Sequence, residues 1–348
     1  MRHQPLEVQT LYAELLEQLA AFEAQRTIGH LSGTFVTKTI KDSEYYYFQY
    51  VGPGDRKRQL YLGRRSAALD AVAARYAKER ADAAPDVESI QRLCALLRAG
   101  GAMTTDASSA RVLRGLADAG AFRLGGVLVG THAFVVIGNL LGALWDGAAL
   151  RTQDVDIAAG LEIGVAMPEL VADVPGALES LEMGFLPVPG LDPISPTTSF
   201  KVRGQGLRGD LLTPARRGSP KTIPLPRFSA AAQPLKFLDY VTENAVTGAV
   251  VSGGGVSVNV PDPARFALHK LIVSGERPAA LHAKREKDLW QATQVLEVLA
   301  EERTGDVVLA WKALVARGSG WERRVSAGLE AMRGMAPAVV ASVEVLVK

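Results

Sequence analysis

The chain has 348 residues, 48% of them hydrophobic and 22% charged, which is long enough for two or three globular domains. The formal net charge of +2 excludes a polycation, so any contact with nucleic acid must come from local basic patches. The single cysteine, Cys94, excludes an internal disulfide and is predicted to be a small core residue in a reducing compartment. The first residues form no apolar signal core, and a cytoplasmic location is therefore expected.

The first part of the chain, residues 1–84, is predicted to form a helix and a small β-hairpin. Residues 6–26 have apolar side chains at helical spacing. Three short β-prone runs follow, at 34–36, 45–50 and 59–62, with a turn at 52–55. Basic residues crowd the turn and the last run: Arg56, Lys57, Arg58, Arg64 and Arg65. Helical patterns then cover 66–81, 87–98 and 108–119, and Asp86 is the predicted N-cap of the second.

The central part, residues 85–262, is predicted to form a mixed sheet. Residues 124–145 carry no Asp, Glu, Lys or Arg and are long enough to cross a bilayer. Their glycines and polar residues favour instead a buried strand at 126–129 that leads into a buried helix at 131–144. Later strands are predicted at 198–203, 207–212, 245–251 and 256–260, and the last two are joined by the turn Ser252-Gly253-Gly254-Gly255.

The last part, residues 263–348, is predicted to be a helical domain, because Pro261-Asp262-Pro263 marks a boundary. Helical patterns follow at 264–273, 285–302, 306–316 and 322–332. The three parts together predict an α+β protein with a mixed-sheet core between an N-terminal helix and hairpin and a helical C-terminal domain.

Two carboxylates, Asp154 and Asp156, stand two residues apart within an apolar run. On a strand, both side chains point to the same face, where their negative charges repel each other. A pair of divalent cations is one reason for this arrangement, and an exposed turn or strand edge is the alternative.

Asp210 is the candidate for a third carboxylate, since it is a lone acid in the apolar run 207–212. Its alternative role is a salt bridge to Arg203 or Arg208. A tight turn at 204–206 makes this run the antiparallel neighbour of the strand before it.

Gly130 and Thr131 lie between a predicted strand and the start of a helix. Backbone N–H groups and the helix dipole favour a phosphate at such a position, and glycine permits its close approach. Thr131 could cap the helix, contact a phosphate through its hydroxyl, or do both. The next residue, His132, is predicted to be a satisfied core histidine, because the five histidines lack metal-ligand spacing.

The order of these motifs resembles the polymerase-beta-type nucleotidyltransferase superfamily. That pattern is a Gly-Ser/Thr turn between strand and helix, then Asp-x-Asp, then a third Asp on another strand. The run Arg151-Thr152-Gln153-Asp154-Val155-Asp156 is similar to the branch containing the abortive-infection nucleotidyltransferase toxins, and the whole chain is similar to a bacterial family of nucleotidyltransferase-fold proteins. The gap between Thr131 and Asp154 is longer than in minimal members, and an inserted loop is expected at 142–149.

The resemblance implies that Asp154, Asp156 and Asp210 are catalytic and hold two Mg²⁺ ions, with Mn²⁺ as the alternative ion. It implies nucleotide contacts at Gly130, Thr131, Thr152 and Lys270. That branch has an early Lys and a later Lys/Arg-x-x-Asp in its helical region, which Lys270 and Arg285-Glu286-Lys287-Asp288 match; a solvated helix face is the alternative for Lys270. Further candidate contacts for phosphate or acceptor are Arg151, Arg203, Arg208 and Lys287.

Two other patterns bear on the ligand. Residues 204–209 spell G-x-G-x-x-G, but strand-like residues follow where a dinucleotide site needs a helix, so that site is excluded. Residues 201–227 hold seven basic residues and one acid, which is either a solvated face or a footprint for a triphosphate or an RNA backbone. With the basic hairpin at 56–65 and its tyrosines, this segment could hold a polynucleotide.

The predicted reaction moves a nucleoside monophosphate from an NTP to an acceptor hydroxyl and releases pyrophosphate. RNA, including a tRNA 3′ end, is the favoured acceptor by analogy with the toxin branch. The alternatives are nucleotidylation of a protein or a small molecule, and a non-catalytic nucleotide-binding antitoxin or sensor. No membrane partner is expected.

Overall fold

The computed structural model describes residues 2–31, 33–51, 57–147, 150, 152–159, 171–188, 196–216 and 218–348. Three basic residues singled out by the sequence, Arg56, Arg151 and Arg217, lie outside the described residues, as does part of the expected inserted loop.

In chain order, the N-terminal region has a three-stranded antiparallel sheet between two long helices. β1 (Arg2–His3), α1 (Leu6–Ala24) and a short 3-10 helix (Ile28–His30) precede β2 (Thr34–Ile40), β3 (Ser43–Val51) and β4 (Lys57–Arg64). β3 pairs with both β2 and β4, so the predicted hairpin is a full three-stranded sheet. Phe35 and Phe48 on one face pack against Tyr76 of the following helix.

That helix, α2 (Ala67–Ala99), is continuous over 33 residues, so the prediction of two helices with Asp86 as an N-cap was wrong. Ser66 is the N-cap, and its hydroxyl accepts a hydrogen bond from the Leu69 N–H at 3.3 Å. Pro85 removes one backbone hydrogen bond inside the helix. Packing on both sides of Pro85 outweighs that loss, since Tyr76 contacts the sheet while Leu97 and neighbouring residues are buried against α1. The proposed domain boundary after residue 84 falls inside α2 and stays a prediction.

The central region alternates strands and helices. In chain order these are α3 (Ala107–Asp118), β5 (Val127–Val129), α4 (Gly130–Leu140), β6 (Ala143–Leu144), β7 (Asp154–Ala158), α5 (Val174–Ser180), β8 (Phe185–Pro187), β9 (Ser199–Val202), β10 (Arg208–Pro214), β11 (Ile223–Leu225), β12 (Ala230–Leu235), α6 (Leu238–Thr242), β13 (Val246–Val250) and β14 (Val256–Val260). Cys94 of α2 is buried beside this region, as predicted.

β10 lies at the centre of a seven-stranded mixed sheet. It pairs in parallel with β7 and β12 and antiparallel with β9. β5 continues the sheet as the antiparallel neighbour of β7, while β8 and β11 pair antiparallel with β9 and β12. The antiparallel β9–β10 pair and the β13–β14 hairpin were predicted correctly. β10 occupies residues 208–214, where a dinucleotide site would need a helix after the G-x-G-x-x-G run.

α4 is shorter than the sequence predicted, because the chain turns at Gly142 with a φ of +62°. The next two residues form β6, which pairs with β1 at the N-terminus. In the described part of the chain, no helix is long and apolar enough to cross a membrane.

The C-terminal region is helical, as predicted, and packs onto the sheet. It comprises α7 (Pro263–Glu276), a 3-10 helix (Ala279–Leu281), α8 (His282–Glu302), α9 (Thr304–Val315), α10 (Ser319–Arg333) and α11 (Pro337–Val347), the last of which was not predicted. Asp262 caps α7 by accepting a hydrogen bond from the Arg265 N–H at 2.9 Å, and Pro263 fits the first helical position. The α+β fold class is confirmed.

Candidate active site

The parallel pairing of β7 with β10 brings the three predicted carboxylates to one face of the sheet. Asp156 is in register with Asp210, and Asp154 is in register with Arg208. Residues in register on parallel strands project to the same face, so Asp154, Asp156 and Asp210 share a face. The alternating residues Val155 and Ile157 are buried in the core on the other face. That burial fixes the register, because a slip of one residue would place both acids in the core.

Gly130 borders this face from the antiparallel strand β5. Val129 is in register with Asp156, and Gly130 follows it at the start of α4. The φ of Gly130 is +71°, and a Cβ atom built there would lie 2.6 Å from Asp156 Oδ2. Only glycine satisfies both the backbone angle and the close approach of the carboxylate. The N-terminus of α4 and the acidic face therefore form one continuous surface.

Asp156 is half-buried, and its ionisation is strongly perturbed. Burial raises the pKa of the Asp156 carboxyl to about 7, and the negative charges of Asp210 and Asp154 act in the same direction. The positive charges of Lys270 and Lys284 oppose this rise. The fold thus gathers negative charge where water is partly excluded, which is unfavourable without a compensating cation.

Asp210 forms a salt bridge with Arg208, which is the alternative role predicted for it from the sequence. Arg208 Nε donates to Asp210 Oδ1 at 2.8 Å and to Ser199 Oγ at 2.7 Å. With these side-chain positions, no group of three or more His, Cys, Asp or Glu in the described residues is arranged to hold a metal ion. The donors themselves suit Mg²⁺, because carboxylate oxygens are its preferred protein ligands, and burial with the charges of Asp210 and Asp154 already disfavours the charged form of Asp156.

Lys270 is buried on α7, so the alternative of a solvated helix face was wrong. Its Nζ donates to Asp288 Oδ1 of α8 at 2.7 Å, and Arg277 Nε donates to Asp288 Oδ2 at 2.9 Å. Burial acts to raise the pKa of Asp288, but the charges of Lys270 and Arg277 hold it below its ordinary value. The positive charge of Lys270 also acts on Asp156 and favours its ionised form.

Lys287 of α8 and His132 of α4 both interact electrostatically with Asp154. Burial lowers the pKa of Lys287, as does the charge of Lys270, while Asp288, Asp154 and Asp156 oppose this shift. Burial lowers the pKa of His132 to about 4, with Asp106 and Asp154 opposing and Lys287 adding to the effect. His132 is buried, as predicted, but within the described chain its Nε2 has no hydrogen-bond partner, so the prediction that it is satisfied was wrong.

The two predicted threonines have different positions. Thr131 is the second residue of α4, and the N-cap is Val129, so the capping role predicted for Thr131 was wrong. Its buried Oγ1 lies 3.4 Å from Gln291 Nε2 of α8. Thr152 precedes the acidic strand, and its Oγ1 accepts a hydrogen bond from the Asp154 N–H at 3.1 Å. Thr152 therefore orients the start of β7.

Two of the remaining predicted contacts, Arg203 and Arg208, lie at the same end of the sheet. Arg203 is exposed in the turn between β9 and β10, and the Arg208 N–H bonds the Gln153 carbonyl at 3.0 Å. The position of Arg151 lies outside the described residues. Three residues beside the acidic face, Arg277, Asp288 and Gln291, were absent from the predicted site. The sequence signalled only Asp288, through the Arg285-Glu286-Lys287-Asp288 run.

The mixed sheet and the helical C-terminal region define the class of the protein as a nucleotidyltransferase-type α+β fold. A family model described as nucleotidyltransferase matches residues 107–316, more than half of the 348-residue chain, and the protein belongs to this family. The match covers β7, β10, α7 and α8, and it leaves out the sheet of β2, β3 and β4. No curated protein and no solved structure matches the chain. The finer similarity to the toxin branch stays a prediction.

Proposed function

We propose that the protein is a metal-dependent enzyme that transfers a nucleoside monophosphate from an NTP to an acceptor hydroxyl. The observation that carries this proposal is the register of β7 with β10, which aligns Asp154, Asp156 and Asp210 on one face beside the start of α4. A general nucleotidyltransferase assignment agrees with the family to which the chain belongs. The identity of the metal, the identity of the acceptor and the roles of individual residues are our proposals beyond this family assignment.

The N-terminus of α4 is the proposed site of the triphosphate. The first backbone N–H groups of a helix lack partners within it, and the helix dipole favours negative charge there. Gly130 presents this backbone without a side chain, and the Thr131 hydroxyl lies one residue further along. Lys270 and Lys287 add positive charge near the acids, which favours an anionic ligand.

The acidic face is the proposed reaction centre. Asp154 and Asp156 would hold both Mg²⁺ ions, and Asp210 would complete the site of one of them. When bound, the ions would supply charge neutralisation at the attacking oxygen, the phosphate and the leaving group. The acceptor oxygen forms a bond to the α-phosphorus of the NTP, the bond to the bridging oxygen breaks, and pyrophosphate leaves. Asp210 is the proposed carboxylate that takes the proton of the acceptor hydroxyl.

RNA is the proposed acceptor. Support comes from the basic side chains at the acidic end of the sheet, including Arg203 in its exposed turn and Lys201 on β9. Protein or small-molecule acceptors remain alternatives within the same chemistry, and an antitoxin or sensor would use the nucleotide site without transfer.

The proposal is tested by incubating the full chain with Mg²⁺, each α-³²P-labelled NTP, and either total RNA or cell lysate. Asp154→Asn and Asp156→Asn keep the side-chain shape and remove the charge. Asp118→Asn is the matched control, because Asp118 is an exposed acid at the end of α3 whose partner is Arg26. The wild type and the control should transfer label to one class of macromolecule. Asp154→Asn and Asp156→Asn should transfer none.

Each other outcome has a defined meaning. Label on RNA supports the proposed acceptor, whereas label on protein or on a small molecule supports the corresponding alternative. Transfer that persists in both Asn variants contradicts the assigned site. NTP binding without transfer to any acceptor supports the sensor role and contradicts the proposed activity.

A further inference from the structure

The sheet formed by β2, β3 and β4 lies outside the residues that the family match covers, and it has one face rich in tyrosine. Tyr45 and Tyr47 alternate with Tyr46 and Phe48 along β3, and Tyr61 on β4 is in register with Tyr47. We call the surface formed by Tyr45, Tyr47, Tyr61 and their neighbours on this side the tyrosine face. Tyr61 is 56% exposed, while Tyr45 and Tyr47 are half-buried.

The opposite face of the sheet attaches it to the rest of the protein. The Tyr46 hydroxyl donates to Asp70 Oδ1 of α2 at 2.6 Å, and Phe48 packs edge-on against Tyr76. Arg58, in register with Tyr50 on this face, forms an ion pair with Glu182 beyond α5. The tyrosine face therefore points away from both α2 and the core.

The tyrosine rings form a contiguous aromatic surface with a cation on it. The ring centroid of Tyr61 lies 5.5 Å from that of Tyr47 and 6.1 Å from that of Tyr45. Lys38 Nζ lies 4.8 Å from the centre of the Tyr47 ring. Aromatic side chains grouped on a sheet surface stack unpaired bases, and a nearby cation binds the phosphate backbone.

The charge of this face is positive. By strand register, its described residues include Lys38 on β2 and Lys57 and Arg64 on β4, and none of its described strand residues is Asp or Glu. Glu44 projects from the opposite face and is paired with Arg65. The charge of the face thus complements a phosphate backbone and disfavours an acidic protein surface.

We propose that the tyrosine face binds a single-stranded polynucleotide. A single strand fits better than a duplex, because bases stack on tyrosine rings only when they are free of their own neighbours. RNA and DNA share the stacking and phosphate chemistry, and the test separates them. Binding of a single strand depends only on the contacts and charges of the tyrosine face. The further role of holding the acceptor strand rests on the proposed function.

The test is fluorescence anisotropy with the full chain in EDTA and without NTP, so that no transfer occurs. The probes are a labelled 12-mer of uridine, a 12-mer of thymidine and a 12-base-pair RNA duplex. The variants are Tyr47→Ala/Tyr61→Ala and Tyr47→Phe/Tyr61→Phe. Leu60→Ala is the matched control, since Leu60 is 58% exposed on β4 and projects from the opposite face. Thermal melting checks that each variant is folded.

The wild type should bind at least one of the single strands and bind the duplex more weakly. The double alanine variant should lose affinity by about tenfold or more, because each stacked base contributes about 1–3 kcal/mol. The double phenylalanine variant keeps the rings and should bind like the wild type, as should Leu60→Ala. Should the double alanine variant unfold, Lys38→Ala takes its place, with a smaller salt dependence of binding as its readout.

Different results would contradict the strand-binding site and the proposed nucleotidyl transfer. Wild-type protein that binds neither single strand, or a folded double alanine variant with unchanged affinity, overturns the tyrosine face as a binding site. Asp118→Asn should bind the strands normally, since Asp118 lies on α3, outside the tyrosine face and the acidic face. A protein that binds single strands but transfers no nucleotide contradicts the proposed function and leaves this binding site standing.

Discussion

Gly130 and Asp156 approach each other so closely that a single added carbon on Gly130 would lie 2.6 Å from the Asp156 carboxylate. They are joined through the β5–β7 pair, in which Val129 is in register with Asp156. The helix N-terminus and the acidic strand therefore cannot shift independently. A change at either position is expected to alter the other.

Gly130→Ala should leave the protein folded but inactive. The left-handed backbone angle costs alanine about 1–2 kcal/mol, and the new methyl group displaces the Asp156 carboxylate. A displacement of about 1 Å at a reaction centre can reduce the rate about 100-fold. The transfer assay and thermal melting measure the two effects. Gly275→Ala in α7 is the control, because an added Cβ there meets nothing within 4 Å; equal activity in the two variants would refute the steric argument.

The stability of the metal-free protein should fall as pH rises through neutrality. The pKa of Asp156 is about 7 in the folded chain against an ordinary value of 3.8 for an aspartate, so between these values the folded state binds more protons than the unfolded state. The free energy of unfolding therefore decreases with rising pH, by up to about 1.4 kcal/mol per unit. Asp156→Asn should melt higher than the wild type at pH 8 and show little gain at pH 4. Melting in EDTA across this range measures the difference, and a gain independent of pH would contradict it.

Addition of Mg²⁺ should raise the melting temperature of the wild type at pH 8. A ligand that binds only the folded state stabilises it by mass action, and the three carboxylates are its expected ligands. Asp154→Asn and Asp156→Asn should lose most of this shift, whereas Asp118→Asn should keep it. An equal shift in all four proteins would mean that the ion binds elsewhere.

Asp288→Ala should be among the most destabilising single changes in the C-terminal region. It leaves Lys270 buried without its partner, at a cost of about 3–5 kcal/mol. Replacing both residues, as in Lys270→Met/Asp288→Leu, should recover much of the stability. Asp306→Ala removes an exposed ion pair with Arg303 and should cost less than about 1 kcal/mol. Urea denaturation measures all three, and similar losses for Asp288→Ala and Asp306→Ala would refute the buried pair.

Thr131→Val should weaken NTP binding more than it alters stability. The only hydrogen bond described for the hydroxyl is the long contact with Gln291, so its loss costs the fold little. If the hydroxyl contacts phosphate, the KM for NTP should rise about tenfold, as for one lost hydrogen bond to a charged group. Thr131→Ser keeps the hydroxyl and should retain a normal KM. Equal KM values for Val and Ser would remove Thr131 from the nucleotide site.

The sequence predicted which residues of one strand share the acidic face, but it did not predict which other elements pack beside that strand. Strand periodicity was enough to place Asp154 and Asp156 on one face, but nothing in the sequence indicated that β10 pairs in parallel with β7. The pairing of Lys270 with Asp288 likewise depends on how α7 packs on α8. Such contacts are set by tertiary packing, which a local pattern does not contain.

The errors have the same physical origin. Pro85 is a local signal for a helix end, yet contacts with the sheet on one side and with α1 on the other keep α2 continuous. Thr131 is a common capping residue, but the N-cap is Val129 and the helix already begins at Gly130. In both cases the surrounding structure outweighed a residue preference of about 1–3 kcal/mol.

The unbroken helix α2 sets a fixed separation within the molecule. From Tyr76, against the three-stranded sheet, to Leu97, in the core with α1, the chain rises by about 30 Å along one axis. If the tyrosine face holds the acceptor strand, that strand is held at the end of α2 remote from the core with α1, and its reacting end must extend from there to the acidic face. The enzyme would then select acceptors by the number of nucleotides between the bound bases and the reacting hydroxyl, and base sequence would matter little.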